Sequence, residues 1–283
     1  MSAEGRRARL AHSRTRAGLS LSERRVLLTG ASGGLGRAIA RALHARGATI
    51  VASGRRRDAL DELAVELGDR VEPLAADLAD RAEVTALPGR AGRVDVLVAN
   101  AGLPASGRLE TFSGEEVDRA LDVNLRAPMQ LARALLPAMA ERGAGHLVFV
   151  SSLNGKLPSP GTSVYSATKY GLRGFAASLR TDLRGSGVGV TTVFPSFISD
   201  AGLWADTGLD LPRWVRLPSP GRFAAAIVAG IERDRGEIDV APLALRAAAG
   251  LGGVAPGLVG AVASRIGAGE VAEQAASAQR AKR

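Results

Sequence analysis

Two side chains set the chemical question. Tyr165 and Lys169 stand four residues apart in "VYSATKYGL", a stretch with no other charge. The chain has two tyrosines, Tyr165 and Tyr170, and three lysines, Lys156, Lys169 and Lys282, against a large excess of arginine. Lysine at 169 is therefore not a compositional habit. On a helix, positions four apart share a face. A tyrosine with its ordinary pKa of about 10 is a poor base at neutral pH, and an adjacent ammonium favours the phenolate, so the pair suits general acid–base work. Thirteen residues before Tyr165, the run "VFVSS" ends in Ser151 and Ser152, where a strand would give way to a loop. Each signal alone is ordinary, since helices carry such pairs at their surfaces and serines serve in turns. Their value lies in what surrounds them.

The elements that must hold these groups follow from the hydrophobic pattern. "RVLLTG", "ATIVASG", "VDVLVANAG", "GHLVFVSS" and "GVTTVFPS" read as buried strands, and residues 35–46 and 115–141 as helices. A further helix and turn lead to a final strand at about 237–243. This alternation predicts an α/β fold: a doubly wound, mostly parallel sheet of Rossmann-like form, with helices on both faces and ligands beyond the carboxyl ends of the strands. The first strand runs into "TGASGGLGRAIARAL", with Gly30, Gly34 and Gly36 at the turn into a helix. Glycine there lets the backbone approach a pyrophosphate, whose charge the helix N-terminus favours. The spacing is G-x-x-x-G-x-G, a departure from G-x-G-x-x-G.

Composition narrows the classes. At 283 residues the chain can bury one large core, and no interior linker or repeat divides it. There is no cysteine, and His12, His44 and His146 are too scattered for a zinc site, so no metal is expected. Of the formal charge of +9, residues 1–25 carry +5 and residues 276–283 carry +3, which leaves the body near +1. With no basic body and few aromatics for stacking, no nucleic-acid partner is expected. Residues 1–23 read as a basic disordered tail without a secretory apolar run, so a cytoplasmic protein is expected. Residues 24–245 form the single Rossmann-like domain, and 246–283 a helical extension with a basic tail. Residues 247–264 are uncharged but rich in glycine and alanine, which favours helices packed on the body and allows at most peripheral membrane contact.

Taken in order, these motifs resemble those of the short-chain dehydrogenases/reductases, in their single-domain branch, over roughly residues 24–245. "TGASGGLG" resembles the family's T-G-x-x-x-G-x-G loop and implies that Gly30, Ser32, Gly34, Leu35 and Gly36 bind the dinucleotide. Asp77 and Leu78 match an acidic pair at the adenine, and "ANAG" matches N-N-A-G, with Ala99 replacing the first asparagine and Asn100, Ala101 and Gly102 kept. Asn124 in "DVNLRAP", Ser152, Tyr165 and Lys169 match the four active-site positions. Pro195-Ser196 stands in place of Pro-Gly, Asp200 where many members have threonine, and Pro195 and Ile198 are expected beside the cofactor. The resemblance implies that Tyr165 gives a proton to a carbonyl oxygen while hydride reaches its carbon, and that Ser152 orients that oxygen. It implies that Lys169 bonds the ribose hydroxyls and, with the nicotinamide of an oxidised cofactor, lowers the tyrosine's pKa. Asn124 would fix a water linking Lys169 to solvent, and the assembly would be a homodimer or homotetramer.

The end of the second strand bears on the cofactor. In such units an acidic residue there accepts hydrogen bonds from the ribose of NAD and repels a 2′-phosphate, whereas arginine welcomes it. In "ATIVASGRRRDAL" the acidic position is Gly54, with Arg55, Arg56 and Arg57 behind it and no carboxylate before Asp58. NADP(H) is expected over NAD(H), mainly through Arg55, with Ser53 or Arg56 assisting. Residues 196–222 occupy the place of the family's substrate loop, where Phe197, Leu203, Trp204, Leu209 and Trp214 offer apolar surface. The expected small-molecule substrate is thus a hydrophobic ketone or secondary alcohol. Two rivals remain. A sugar-nucleotide epimerase or dehydratase uses a similar Tyr-Lys pair but needs a larger C-terminal domain than the roughly forty residues after the last strand. A nucleotide sensor or interaction protein on the same fold typically lacks the tyrosine present here.

Overall fold

The computed structural model describes residues 18–199 and 217–252. Seven strands form one sheet: β1 (Arg25–Thr29), β2 (Thr49–Gly54), β3 (Val71–Ala75), β4 (Val96–Ala99), β5 (Gly145–Val150), β6 (Val188–Pro195) and β7 (Glu237–Val240). Their order is β3-β2-β1-β4-β5-β6-β7, and every neighbouring pair is parallel. The sheet is doubly wound and Rossmann-like, and more uniformly parallel than expected. β1 pairs with β2 on one side and β4 on the other, so the winding reverses there and opens a crevice at the carboxyl ends of β1 and β4.

Alternation along each strand divides the core in two. Val26, Leu28, Ile50, Ala52, Val96 and Val148 face the helices α1 (Gly34–His44), α2 (Arg57–Leu67) and, from late in the chain, Pro220–Glu232. Leu27, Val51, Leu97, Leu147 and Phe149 face α3 (Arg81–Ala91), Ala127–Glu141 and Ser163–Asp182. With both faces covered, the strands can be apolar at every position, and β4, β5 and β6 are buried throughout. Among the described residues no helix is long and apolar enough to cross a membrane.

Three departures from the sequence reading have physical causes. β3 was not among the expected strands because Glu72 and Pro73 interrupt its apolar pattern; it lies at the sheet's edge, where proline is tolerated. The helix expected over 115–141 is α4 (Gly114–Leu121), a π-helical turn (Asp122–Arg126) and α5 (Ala127–Glu141). Pro128 has no N–H to donate to the carbonyl of Asn124, so the α-helical ladder fails there and shifts, with Ala127 N–H reaching Asp122 O. The helices that follow are α6 (Ser163–Asp182), α7 (Pro220–Glu232) and α8 (Leu243–Gly252), the last of which begins before the expected boundary at 246.

The third departure is at the start. Residues 18–23, expected within the tail, belong to the body: Leu19 N–H donates to Ile231 O (3.1 Å), Glu23 N–H to Gly47 O (3.0 Å), and Leu21 is 1% exposed in the α1/α7 core. Two leucines, Leu19 and Leu21, among serines are too short a run to carry a periodic signal, so the folded body begins earlier than expected. Leu21→Ala is expected to lower stability by about 2–5 kcal/mol through lost burial and a residual cavity. Urea unfolding checks this, and an unchanged midpoint would place residues 18–22 outside the folded unit.

Candidate active site

The carboxyl end of β5 and the first turns of α6 build the polar centre. After Val150 the chain leaves the sheet as a single 3₁₀ turn, Leu153–Gly155, capped by Ser152, whose Oγ accepts the Asn154 N–H at 3.2 Å. Tyr165 and Lys169 stand one turn apart on α6, and the Tyr165 hydroxyl is hydrogen-bonded to Ser152. The Lys169 ammonium is 5.5 Å from the Tyr165 ring centre and donates to Val150 O at 3.1 Å. Two residues not singled out as site residues fix this contact. Ser151 Oγ donates to the Lys169 carbonyl at 3.1 Å, and a Cβ on Gly155 would come within 2.8 Å of that carbonyl oxygen. Gly155 thus lets the turn lie against the helix. No local pattern announces it, because the contact joins residues fourteen apart.

Burial governs the electrostatics. It pushes the Tyr165 hydroxyl up to about 12, against the hydrogen bond from Ser152, which pulls it down. It pushes the Lys169 ammonium down to about 8. Part of Tyr165 remains accessible at the cleft, but its hydroxyl lies deep enough for burial to dominate. In the protein alone the expected lowering of the tyrosine is therefore reversed. At neutral pH Lys169 is charged and Tyr165 protonated, which is the form that can donate a proton.

Asn124, fully buried in the π-helical turn, spans the loop after β4 with both ends of its amide. Oδ1 accepts from Leu103 N–H at 2.7 Å and Nδ2 donates to Leu103 O at 3.0 Å. Its neighbour Gly102 faces the gap between the two polar groups: a Cβ there would lie 3.4 Å from Asn124 Oδ1 and 3.7 Å from Lys169 Nζ. The same loop is tied to β1. Thr29 Oγ1 accepts the N–H groups of Asn100 and Ala101, each at 3.1 Å, and Asn100 Nδ2 donates to the carbonyls of Thr29 and Gly30.

The nucleotide side is the turn from β1 into α1. Gly30 has φ +67°, a left-handed conformation that suits glycine, and a Cβ there would lie 2.9 Å from Ala101 Cα. A Cβ on Gly36 would fall 2.0 Å from Gly30 O, so only glycine lets the helix close on the turn. Gly33 and Gly34 are exposed, α1 has no side-chain cap, and no acidic residue lies in its first turn. Its first N–H groups and positive dipole end, flanked by Ser32 and Leu35, thus suit a pyrophosphate. These residues fit a dinucleotide on shape and charge.

At the other expected contacts the structure discriminates. Arg55 and Arg56 are exposed, and Arg56 Nη2 donates to Ser32 O at 3.1 Å, across the phosphate turn. A Cβ on Gly54 would meet Ser32 Oγ at 3.0 Å. Ser53 is corrected: it is 1% exposed, its side chain alternates inward with that of Val51, and its Oγ is enclosed without a hydrogen-bond partner among the described residues. It cannot reach a phosphate unless the surrounding side chains move. Asp77 Oδ1 accepts from Ala79 N–H at 3.0 Å, and Leu78 packs in the α3/α5 core at the end of the β3 connection. Pro195 and Ile198 are buried where β6 ends, Ile198 within the α1/α7 core, and Ser196 N–H donates to Val240 O. Phe197 is 41% exposed beside them. Asp200, Leu203, Trp204, Leu209 and Trp214 lie outside the described residues.

A family model described as short chain dehydrogenase matches residues 24–209. The chain belongs to the short-chain dehydrogenase/reductase family. It is accordingly an NAD(P)-dependent oxidoreductase acting between a C–OH and a C=O group. A ketoacyl reductase, HetN, of Nostoc sp. is 37% identical over 228 residues, 78% of this chain and 79% of that protein. A short-chain dehydrogenase from Sphingobium yanoikuyae, solved in complex with NADPH, superposes with a TM-score of 0.73 at 32% identity, covering 83% of this chain and 94% of that one. A 3-ketoacyl-(acyl-carrier-protein) reductase from Brucella melitensis, complexed with NADH, gives 0.71 at 27% identity over 78% of this chain and 98% of that one.

The buried lysine makes a stability test. Below about pH 8 both folded and unfolded chains carry the charge, and the folded chain bears the full cost of burying it. The drop from 10.5 to about 8 corresponds to a cost on the order of 3 kcal/mol. Between those values the unfolded chain keeps its proton while folded Lys169 is neutral, so stability rises with pH. Lys169→Met removes the cost: it is expected to be more stable than the wild type at pH 7, with an advantage that fades toward pH 10.5. Tyr165 is common to both chains and cancels. Denaturant melts at several pH values check this, and a variant no more stable at pH 7 would contradict the burial argument.

Proposed function

We propose that this member of the family is an NADP(H)-preferring carbonyl reductase or secondary-alcohol dehydrogenase, with Tyr165 as its acid/base group. The observation that carries the reading is the Tyr165 hydroxyl, bonded to Ser152 and one helical turn from the buried Lys169 ammonium. When bound, a nicotinamide dinucleotide would supply the hydride for reduction or accept it in oxidation. In reduction Tyr165 gives its proton to the carbonyl oxygen as that oxygen gains charge, and the phenolate left behind is stabilised by Lys169. Ser152 accepts the Asn154 N–H, which leaves its own proton to donate to Tyr165 or to the substrate oxygen. Asn124 holds the Ala101–Leu103 loop against this centre. In oxidation the same proton moves from the alcohol to the phenolate.

The preference for NADP(H) rests on charge at the end of β2. Gly54 provides no carboxylate to repel a 2′-phosphate, and any side chain there would press on Ser32. Arg55 and Arg56 stand exposed beside the turn, and the Ser32 contact holds the Arg56 guanidinium over it. NADPH and NADH both occur among the related structures, so the fold admits either and the choice falls to these residues. The exposed Phe197 beyond β6 supports an apolar ketone or alcohol as substrate.

Hydride transfer with NADPH and NADH against a panel of aliphatic and aromatic ketones, 3-keto esters and secondary alcohols tests the activity by the change in cofactor absorbance. Tyr165→Phe is expected to lower turnover by about a hundredfold or more, the usual contribution of general acid catalysis, while leaving the dissociation constant of NADPH nearly unchanged. Retention of more than a tenth of wild-type turnover would remove Tyr165 from this role. Replacing Arg55 and Arg56 together with alanine is expected to weaken NADPH by roughly tenfold or more, the worth of a charge-assisted hydrogen bond, and to leave NADH nearly unchanged. Equal weakening of both, or tighter wild-type binding of NADH, would overturn the preference.

A further inference from the structure

Among the described residues Lys156 is the lysine left without a role. It lies four residues after Ser152, on the turn that carries that serine, and is 8% exposed. Its ammonium is 2.7 Å from Asp239 Oδ1 and 2.9 Å from Glu237 Oε2, both on the edge strand β7, and sits 4.0 Å above the Phe194 ring on β6. Arg173, one turn beyond Lys169 on α6, donates to Glu237 Oε1 at 2.8 Å and stands 5.6 Å from the same ring. Two cations and two carboxylates thus join the serine turn, the tyrosine helix and the last two strands. The turn itself is stiff, since Lys156 N–H and Leu157 N–H both donate to Leu153 O at 2.8 Å. Leu153 packs with Phe194, Ala241 and Ala249. Displacing the ammonium would therefore carry the whole turn, and Ser152 with it.

We propose that Lys156 is a positioning residue for Ser152: its ammonium, held by Asp239, Glu237 and the Phe194 ring, anchors the turn to the sheet edge so that Ser152 Oγ meets the Tyr165 hydroxyl. The proposal rests on the Ser152–Tyr165 reading given above. Lysine suits the place, since a compact ammonium can meet two carboxylates and a ring face at once on a stem that spans from the turn to the strand. A purely structural ion cluster would contribute to stability and leave the chemistry of each folded molecule unchanged. A positioning residue loosens the Ser152 hydrogen bond when removed, and that bond draws the tyrosine's pKa down.

The experiment uses the full chain with NADPH and the ketone of highest turnover from the panel, comparing Lys156→Met, Lys156→Arg and Asp239→Asn with Tyr165→Phe as control. Lys156→Met is expected to lower kcat by about tenfold to a hundredfold, the scale of a misplacement near 1 Å. Its NADPH dissociation constant stays within about twofold, and the alkaline limb of the kcat profile moves to higher pH. Lys156→Arg, which keeps the charge, restores most of the activity. If Lys156→Met does not fold, Asp239→Asn, close to isosteric, carries the test with the same direction of change in kcat and pH profile. Unchanged kcat and pH profile in the folded variants, with Tyr165→Phe inactive, would overturn the role of Lys156 alone. An active Tyr165→Phe would overturn the catalytic reading and the proposal with it.

Discussion

An ammonium enclosed in protein without a carboxylate beside it is costly, and the site is built around one. Lys169 is 4% exposed, donates to a strand-end carbonyl, and is paired with no acid among the described residues. Such a group is retained where its charge is needed, since a neutral side chain of similar length would be more stable in the same place. Its neighbours fit that need. Gly102 and Gly155 keep side chains away from it, Ser151 holds its backbone, and Tyr165 receives its field. Placing a second opposite charge nearby would neutralise it and remove the reason for keeping a lysine.

The parallel sheet supplies the geometry that this centre needs. Because every strand runs the same way, the ends of β1, β2, β4 and β5 open onto one edge, and each contributes a different part of the candidate site there. β1 leads into the phosphate turn, β2 into the arginines, β4 into the loop clamped by Asn124, and β5 into Ser152. Thr29 and Asn100 bridge β1 and β4 at the winding reversal, so the glycine turn and the loop that Asn124 clamps are set by one short network. β7 adds an outer brace through Glu237 and Asp239.

Local pattern disclosed most of this, and long-range contact the remainder. The glycine turn and the Tyr165–Lys169 pair were legible because each is a spacing within one element, whereas Asn124, and Ser152 rather than Ser151, were picked out only by resemblance to the family. The strand β3 was not, since an edge position relaxes the apolar rule that made the other strands visible. The break at Asn124 was written in Pro128, whose missing N–H falls four residues later, but a continuous apolar pattern hid it. Ser53 was misjudged because proximity in sequence to Arg55 says nothing about the face toward which an alternating strand points it. Gly155 and Lys156 escaped because their partners lie on α6 and β7. The tyrosine's pKa was read from Lys169 and an oxidised nicotinamide without its burial, which in the protein alone pushes it up against the hydrogen bond from Ser152.

The coupling of Tyr165 to its surroundings can be measured directly because the chain has only two tyrosines. In a Tyr170→Phe chain the ultraviolet absorbance of tyrosinate reports Tyr165 alone, followed by rapid pH jumps with and without saturating NADP+. The account predicts that Tyr165 of the protein alone ionises well above the ordinary value of about 10, and that the oxidised cofactor moves its ionisation downward. Ionisation near that ordinary value, unaffected by the dinucleotide, would contradict it.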